Sequence, residues 1–315
     1  MKLVVLIPAY NEEKTIGKVI EEIPKSFSSI DKIEIIVIDD GSTDKTVYVA
    51  KKMGAMVFSF SQNQGLAKAI SYGFAKGMER NADILIILDA DSQYDSKQIP
   101  IILKPIFDNQ ADIVLGDRQV KKLGHMSSQK KFGNRMVSSV VSGLISQKIN
   151  DAQTGFRAFN RTALSKVHIF SGYTYTQETL LQAKFKGLKI VEVPVSFRER
   201  KDESRLISNI FIYAIRTVSL IMSTIIFYKS TKFFGILTVM LFIVGIGLSA
   251  FLLNHLYATG HIRPYYPSTI LTALFLITAM ISALMTILSS ILRRHSILQE
   301  EILQKLKDKS KEQES

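Results

Sequence analysis

Apolar residues are distributed along this chain in two different ways. Up to residue 205 they form short runs at 3–7, 33–38, 84–88 and 113–115, rich in Ile, Val and Leu and each followed by a polar cluster. Runs of that length, bounded by turn residues, are expected to be strands buried on both faces. Helix-length stretches at 15–23, 44–53 and 65–78 separate them. The alternation predicts an α/β unit over residues 1–205, a mostly parallel sheet covered by helices on both faces. Ligands of such sheets bind beyond the carboxyl ends of the strands, so the polar clusters there are the places to look for chemistry.

Beyond residue 205 the pattern changes. Residues 233–253 and 268–292 are free of charge for 21 and 25 positions. At ~1.5 Å per helical residue the shorter run spans about 31 Å, the thickness of a bilayer's hydrocarbon core. A two-helix transmembrane hairpin is therefore expected over 233–292, with a loop at 254–267 whose one charge is Arg263. Lys229 and Lys232 precede the first span, and Arg293 and Arg294 follow the second. Positive flanks of this kind place both chain ends on the cytoplasmic side. At the helical period, residues 206–228 separate into a polar face with Ser208, Asn209, Arg216 and Thr217 and an apolar face with Ile207, Ile210, Phe211 and Val218. That separation predicts interfacial amphipathic helices over 206–232. The tail, 293–315, reads as a helix whose stripe of Ile297, Leu298, Ile302, Leu303 and Leu306 is a candidate face for self-association. The apolar run between Lys2 and Pro8 is too short for the hydrophobic part of a secretory signal.

The two regimes explain how 315 residues combine a net charge of +12 with a positive mean hydropathy of +0.16. The apolar content excludes a disordered chain, and the absence of Cys excludes a disulfide scaffold, thiol catalysis and thiolate zinc sites. The positive charge is concentrated. From 118 to 150 there are seven basic residues, Arg118, Lys121, Lys122, Lys130, Lys131, Arg135 and Lys148, and no Asp or Glu. Such a stretch suits an anion, either a lipid headgroup or a phosphorylated substrate. Nucleic acid fits poorly, because aromatics do not interleave with the basic run and apolar spans follow it.

Three of the strand ends carry carboxylates. Pro8-Ala9-Tyr10-Asn11-Glu12-Glu13 follows the first run, Asp39-Asp40-Gly41-Ser42-Thr43-Asp44 the second, and Asp89-Ala90-Asp91-Ser92-Gln93 the third. Each motif alone is ordinary turn chemistry, and Thr43 or Asp44 could simply cap a helix. Asp89 is different because it follows the unbroken run 84–88. Carboxylates crowded at one rim repel each other unless a divalent cation neutralises them, and oxygen donors favour Mg2+ or Mn2+.

In this order and spacing, these three clusters together with Gly116-Asp117-Arg118, Asn134-Arg135-Met136, Thr154-Gly155-Phe156-Arg157, Gln177-Glu178 and Val193-Pro194-Val195-Ser196-Phe197 form a specific set. The chain resembles family 2 glycosyltransferases of the GT-A fold, and among them the polyprenyl-phosphate (dolichyl-phosphate) glycosyltransferases. The resemblance implies that Pro8, Tyr10, Glu12, Ile38 and Asp40 hold the nucleotide base and ribose. It implies that Asp89, Ala90, Asp91 and Gln93 form the metal and diphosphate site, and that Arg118, Arg135 and Ser139 receive the acceptor phosphate. Arg200 would reach the donor diphosphate. Where the family usually has Gly-x-Ser-Lys, this chain has Asp202-Glu203-Ser204-Arg205, so Arg205 keeps the charge in another form.

The implied reaction is inverting transfer of a sugar to polyprenyl phosphate. The implied donor is UDP-glucose or UDP-N-acetylhexosamine, with GDP-mannose as the alternative. A phosphate monoester has a second pKa of about 6 and attacks without a general base near neutral pH. His125 is accordingly expected to be loop structure. Arg118, Arg135 and Arg200, with a metal at Asp89, Asp91 and Gln93, would carry catalysis by screening two anions from each other. A processive polysaccharide synthase would need a Gln-x-x-Arg-Trp motif, and the chain has no Trp. A catalytically silent membrane scaffold that binds nucleotide sugars would have no use for all three carboxylate clusters and the arginines together.

Overall fold

The computed structural model describes residues 1–27, 29–124, 126–169, 175–199 and 210–314. The chain begins β1 (Lys2–Ala9), α1 (Ile16–Glu21), β2 (Lys32–Asp39), α2 (Thr46–Lys52), β3 (Met56–Ser59), α3 (Leu66–Glu79) and β4 (Ile84–Ile87). It continues α4 (Ile99–Phe107), β5 (Ile113–Asp117), α5 (Ser128–Ile145), β6 (Arg157–Asn160), α6 (Arg161–Lys166), α7 (Tyr175–Phe185) and β7 (Ile190–Pro194). Two long helices follow, α8 (Ile210–Thr259) and α9 (Tyr266–Glu314). The chain divides into two compact units, Met1–Ile221 and Met222–Ser315.

All four apolar runs form strands, β1, β2, β4 and β5, and the three helix-length stretches form α1, α2 and α3. β1 and β4 are apolar without alternation because helices cover both of their faces, and Leu3 to Ile7 and Leu85 to Leu88 have no exposed surface. The seven strands lie in the order β3-β2-β1-β4-β6-β5-β7. After β1 the chain moves outward through β2 and β3, then returns to place β4 on the other side of β1. The strand order therefore reverses between β1 and β4, the position where an open α/β sheet leaves a crevice at its carboxyl edge.

One strand breaks the parallel pattern. β6 pairs antiparallel with both β4 and β5, and its first residue, Arg157, stands opposite Ile87 and Leu115 near their carboxyl ends. The segment entering β6, residues 151–156, is thereby delivered to the same rim as the polar clusters. Sequence periodicity does not announce β6, because Arg157-Ala158-Phe159-Asn160 is short and begins with a charge.

In the second unit the candidate spans are Ser230–Thr259 and Tyr266–Leu292, which enclose the expected 233–253 and 268–292. Their apolar side chains point outward: Ile236 is 64%, Ile243 66% and Ile270 73% exposed. Between the two helices the contact is made by small residues. Gly245 backs onto Leu276, Ala279 and Ser282 are buried, and Ser282 Oγ donates to the Phe234 carbonyl at 3.0 Å. Close approach through small residues with outward-facing Ile and Leu is the packing expected of a helical hairpin in lipid.

The segments flanking the spans are helical, but they are not separate helices. α8 runs for 50 residues and α9 for 49, because neither 210–232 nor 293–314 contains a Pro or Gly to end a helix. Residues 206–209, and the side chains of the tail stripe other than Leu298, lie outside the described residues.

Candidate active site

The crevice between β1 and β4 is built by loops that hold one another through side chains. Asn11 N–H donates to Ser42 Oγ at 2.9 Å, and Thr43 N–H donates to Asn11 Oδ1 at 2.8 Å. Glu12 N–H donates to Thr46 Oγ1 at 2.8 Å and Glu13 N–H to Asp44 Oδ2 at 3.1 Å. Thr43 and Asp44 thus fasten the β2–α2 loop to the β1–α1 loop, and Asp44 also accepts from the Thr46 N–H at 2.9 Å as a local turn.

Asp40 is buried, and both of its oxygens are used: Oδ1 accepts the Gln64 N–H at 2.7 Å and Oδ2 the Gly65 N–H at 2.9 Å. It shapes the loop before α3, and that loop lies so close that a Cβ on Gly41 would sit 2.6 Å from the Gln62 carbonyl carbon. Gly41 also has φ +76, so glycine is required there twice over. Among the residues expected at the nucleotide, Tyr10 is 40% exposed at this rim, Pro8 is buried in β1, and the Ile38 side chain is sealed in the core. Any approach by a ligand to Ile38 is through its backbone.

Beyond β4, Asp89 is half-buried with its carboxylate against the backbone of Gly155, where a Cβ would lie 2.6 Å from Oδ2. Gly155 N–H in turn donates to the Tyr94 hydroxyl at 3.1 Å. Burial, and then the charge of Asp91, push the Asp89 carboxyl well above the usual carboxylate range; Glu12 adds to this, and Arg118 and Arg157 oppose it. Asp91 accepts from the Gln93 N–H at 3.0 Å, and Gln93 Nε2 donates to the Arg198 carbonyl at 3.4 Å. Among the described residues no three His, Asp or Glu side chains converge. A carboxylate whose proton affinity is raised by burial and by a second carboxylate two residues on suits a hard divalent cation that takes its remaining ligands from elsewhere.

The arginines divide into two kinds. Arg118, at the end of β5, pairs with buried Asp151 through two bonds, Nε to Oδ2 at 2.6 Å and Nη2 to Oδ1 at 2.8 Å, and its guanidinium lies 5.1 Å from the Phe197 ring centre. Burial alone would favour the acid form of Asp151, but the Arg118 guanidinium and the Asn134 amide outweigh it and hold the carboxyl below its usual range. Arg135 and Ser139, by contrast, are exposed on α5. Arg200, Arg205 and His125 lie outside the described residues. The segment leading towards Arg200 is anchored where Arg198 reaches Glu22 at 2.9 Å and Asp95 at 3.0 Å.

Two residues of this rim carry no role in the sequence-based reading. Asp151 fixes Arg118, and its signal was the end of the acid-free stretch from 118 to 150. Arg157 is fully buried, with the carbonyls of Thr154, Thr176 and Ala152 and the Thr179 hydroxyl as its partners. It ties the 152–154 loop to the start of α7, and burial lowers its pKa to about 10, still charged near neutrality.

The comparisons agree with this architecture. The family model for glycosyl transferase family 2 matches residues 4–167. A dolichyl-phosphate hexose transferase of Haloferax volcanii is 31% identical over 204 residues, covering 65% of this chain and 86% of that one. A UDP-N-acetylglucosamine–dolichyl-phosphate N-acetylglucosaminyltransferase of Methanococcus voltae is 31% identical over 212 residues, 60% of this chain and 83% of that one. Among solved structures, glucosyl-3-phosphoglycerate synthase from Mycobacterium tuberculosis, in complex with Mn2+, UDP and phosphoglyceric acid, shares the fold with a TM-score of 0.57 at 22% identity, over 71% of this chain and 77% of that one. With a family model that spans half its length and a GT-A sheet beneath the carboxylate rim, this chain belongs to glycosyl transferase family 2.

Proposed function

We propose that the protein transfers a sugar from a nucleotide sugar to polyprenyl phosphate, with inversion at the anomeric carbon. The observation that carries this reading is the Asp89–Asp91 pair just beyond β4, where the strand order reverses between β1 and β4, in a chain whose acid-free basic segment begins at Arg118. The dolichyl-phosphate acceptors named for the Haloferax and Methanococcus relatives support the acceptor class. A UDP-sugar is the donor we favour, in keeping with the Methanococcus relative, and GDP-mannose is the competing outcome of the test.

Asp89, Asp91 and Gln93 would hold a divalent cation, Mg2+ or Mn2+. When bound, it would neutralise the donor diphosphate and stabilise the departing nucleoside diphosphate. The remaining work falls to the chain's own residues. The ionised acceptor phosphate needs no general base: its oxygen forms the new bond to the anomeric carbon as the bond to the diphosphate breaks, and no proton moves. Arg135 and Ser139 on the open face of α5 would orient that phosphate, and Arg118, locked by Asp151, would keep positive charge between the two anions. Arg200 would reach the donor diphosphate, with Arg205 supplying a second positive charge for donor binding.

In this reading residues 1–205 form the catalytic unit and 206–232 the interfacial approach. Residues 233–292 form the membrane hairpin and 293–315 a tail on the same, cytoplasmic, side as the catalytic unit. The test is to incubate the purified full-length protein with polyprenyl phosphate and each labelled nucleotide sugar, with Mn2+ and with a chelator. A lipid-linked monosaccharide from one donor, abolished by the chelator, is expected. Donor binding without lipid product from any donor would instead indicate a silent nucleotide-sugar-binding scaffold.

A further inference from the structure

α5 has two sides, and the fold uses one of them. On the inner side Asn134, Val137, Ser138, Val141 and Ile145 are buried. Asn134 Nδ2 donates to Asp151 Oδ1 at 2.8 Å, and the Ala152 N–H donates to Ser138 Oγ at 3.0 Å. These two bonds, one turn apart, fix the rotation of α5 about its own axis, so what its outer side presents is also fixed.

That outer side holds Phe132, Arg135, Met136 and Ser139, all exposed, within a sector of roughly 100° at the helical period. Phe132 is 65% and Met136 39% exposed. A single exposed apolar residue needs no explanation. Here, though, a guanidinium is flanked by two large apolar side chains on one fixed face, within a stretch of seven basic residues and no acid. The charge complements a phosphate, and the two apolar groups complement hydrocarbon within one helical turn of it. An inorganic or sugar phosphate would use the charge alone. A phosphate monoester carrying a hydrocarbon chain would use all of it.

We propose that the outer face of α5 is the platform for the lipid acceptor, with Phe132 and Met136 packing against the chain attached to the phosphate that Arg135 faces. The inference rests on the acceptor class proposed above and adds to it the residues that select for a tail.

The test uses the full-length protein in phosphatidylcholine nanodiscs made with and without phosphatidylglycerol. It compares kcat/KM for a long polyprenyl phosphate with that for dimethylallyl phosphate, which carries almost no tail. Wild type is expected to prefer the long acceptor. Phe132→Ser/Met136→Ser is expected to reduce that preference at least about tenfold, with the donor KM unmoved. Both positions are exposed, so folding is not at stake. An undiminished preference overturns the inference, as do equal losses on both acceptors. A defect seen only in discs containing phosphatidylglycerol, and equal for both acceptors, assigns the face to bulk lipid and also overturns it. A wild type that glycosylates neither phosphate overturns the acceptor class itself, a result readily told apart from a variant that keeps its preference.

Discussion

The two ends of one sheet treat a carboxylate in opposite ways. At the amino edge, Glu34 on β2 is 7% exposed and meets Lys2 at 2.8 Å, Lys32 at 3.0 Å and Arg80. The Arg80 hydrogen bond, opposed by burial and helped by the two lysines, holds its pKa down to about 2. At the carboxyl edge, Asp89 is enclosed beside Asp91, and its affinity for a proton rises. One acid is neutralised by the chain's own cations, while the other is pressed against a second acid. The first arrangement stabilises the fold. The second leaves a local cost that a bound cation would relieve, which is the difference expected between an acid that serves the fold and the metal-binding acid proposed above.

The sharpest way to test that contrast is to remove each acid in turn. Asp91→Ala should reduce glycosyl transfer on the order of 10³-fold without lowering the melting temperature, because the substitution removes repulsion from the native state. Full turnover in that variant would end the metal assignment.

Gly155→Ala probes the same edge without touching a charge. Its Cβ would enter the space of Asp89 Oδ2. A displacement of that carboxylate by an ångström should cost roughly 10²-fold in kcat. Unchanged kinetics would show that the position of Asp89 does not matter.

At the other edge the expectation is reversed. Glu34→Gln should lower stability by about 2 kcal/mol, from the loss of charged hydrogen bonds, and leave kcat/KM alone. Because the folded-state pKa of Glu34 lies below its ordinary value of 4.5, its contribution is present above that pH and is lost as pH falls towards 2. The variant should therefore be less sensitive to acid than wild type in thermal unfolding. An activity loss equal to the stability loss would erase the distinction between the two edges.

The mildest perturbation changes no residue and reads cation binding. Since Asp89 holds its proton above the ordinary carboxylate range, ionising it opposes the stability of the metal-free protein as pH rises past about 4. Cation binding must displace that proton. Mn2+ affinity should accordingly strengthen by up to about tenfold per pH unit until Asp89 is ionised, and then level off. Calorimetry in buffers of different ionisation enthalpy would read the released proton, and a pH-independent affinity would contradict the coupling.

These contrasts show how far the sequence could be read. β1, β2, β4 and β5 were legible because buried strands are rich in Ile, Val and Leu, and Asp89 stood out as the charge that ends an unbroken run of them. β3 and β7 lie at the edges of the sheet, and β6 lies antiparallel inside it, and none of the three needs that composition. The site followed the same division. Asp89 and Asp91 could be paired from their spacing, whereas the Arg118–Asp151 pair spans 33 positions and no local pattern joins its partners. Asp40 and Asp44 read as one acidic cluster, yet each is largely occupied with backbone N–H groups of a neighbouring loop.

By itself the sequence determined where the chain is apolar enough for strands and spans, where its carboxylates follow strands, and where basic residues run without acids. These are local properties, written in composition and period. Only the tertiary structure decided that β6 runs backwards, and so brings Gly155 against Asp89 and Asp151 against Arg118. It also decided which side of α5 is left open. Both depend on contacts between residues distant in sequence, whose energies come from burial and hydrogen-bond geometry that exist only once the sheet has assembled.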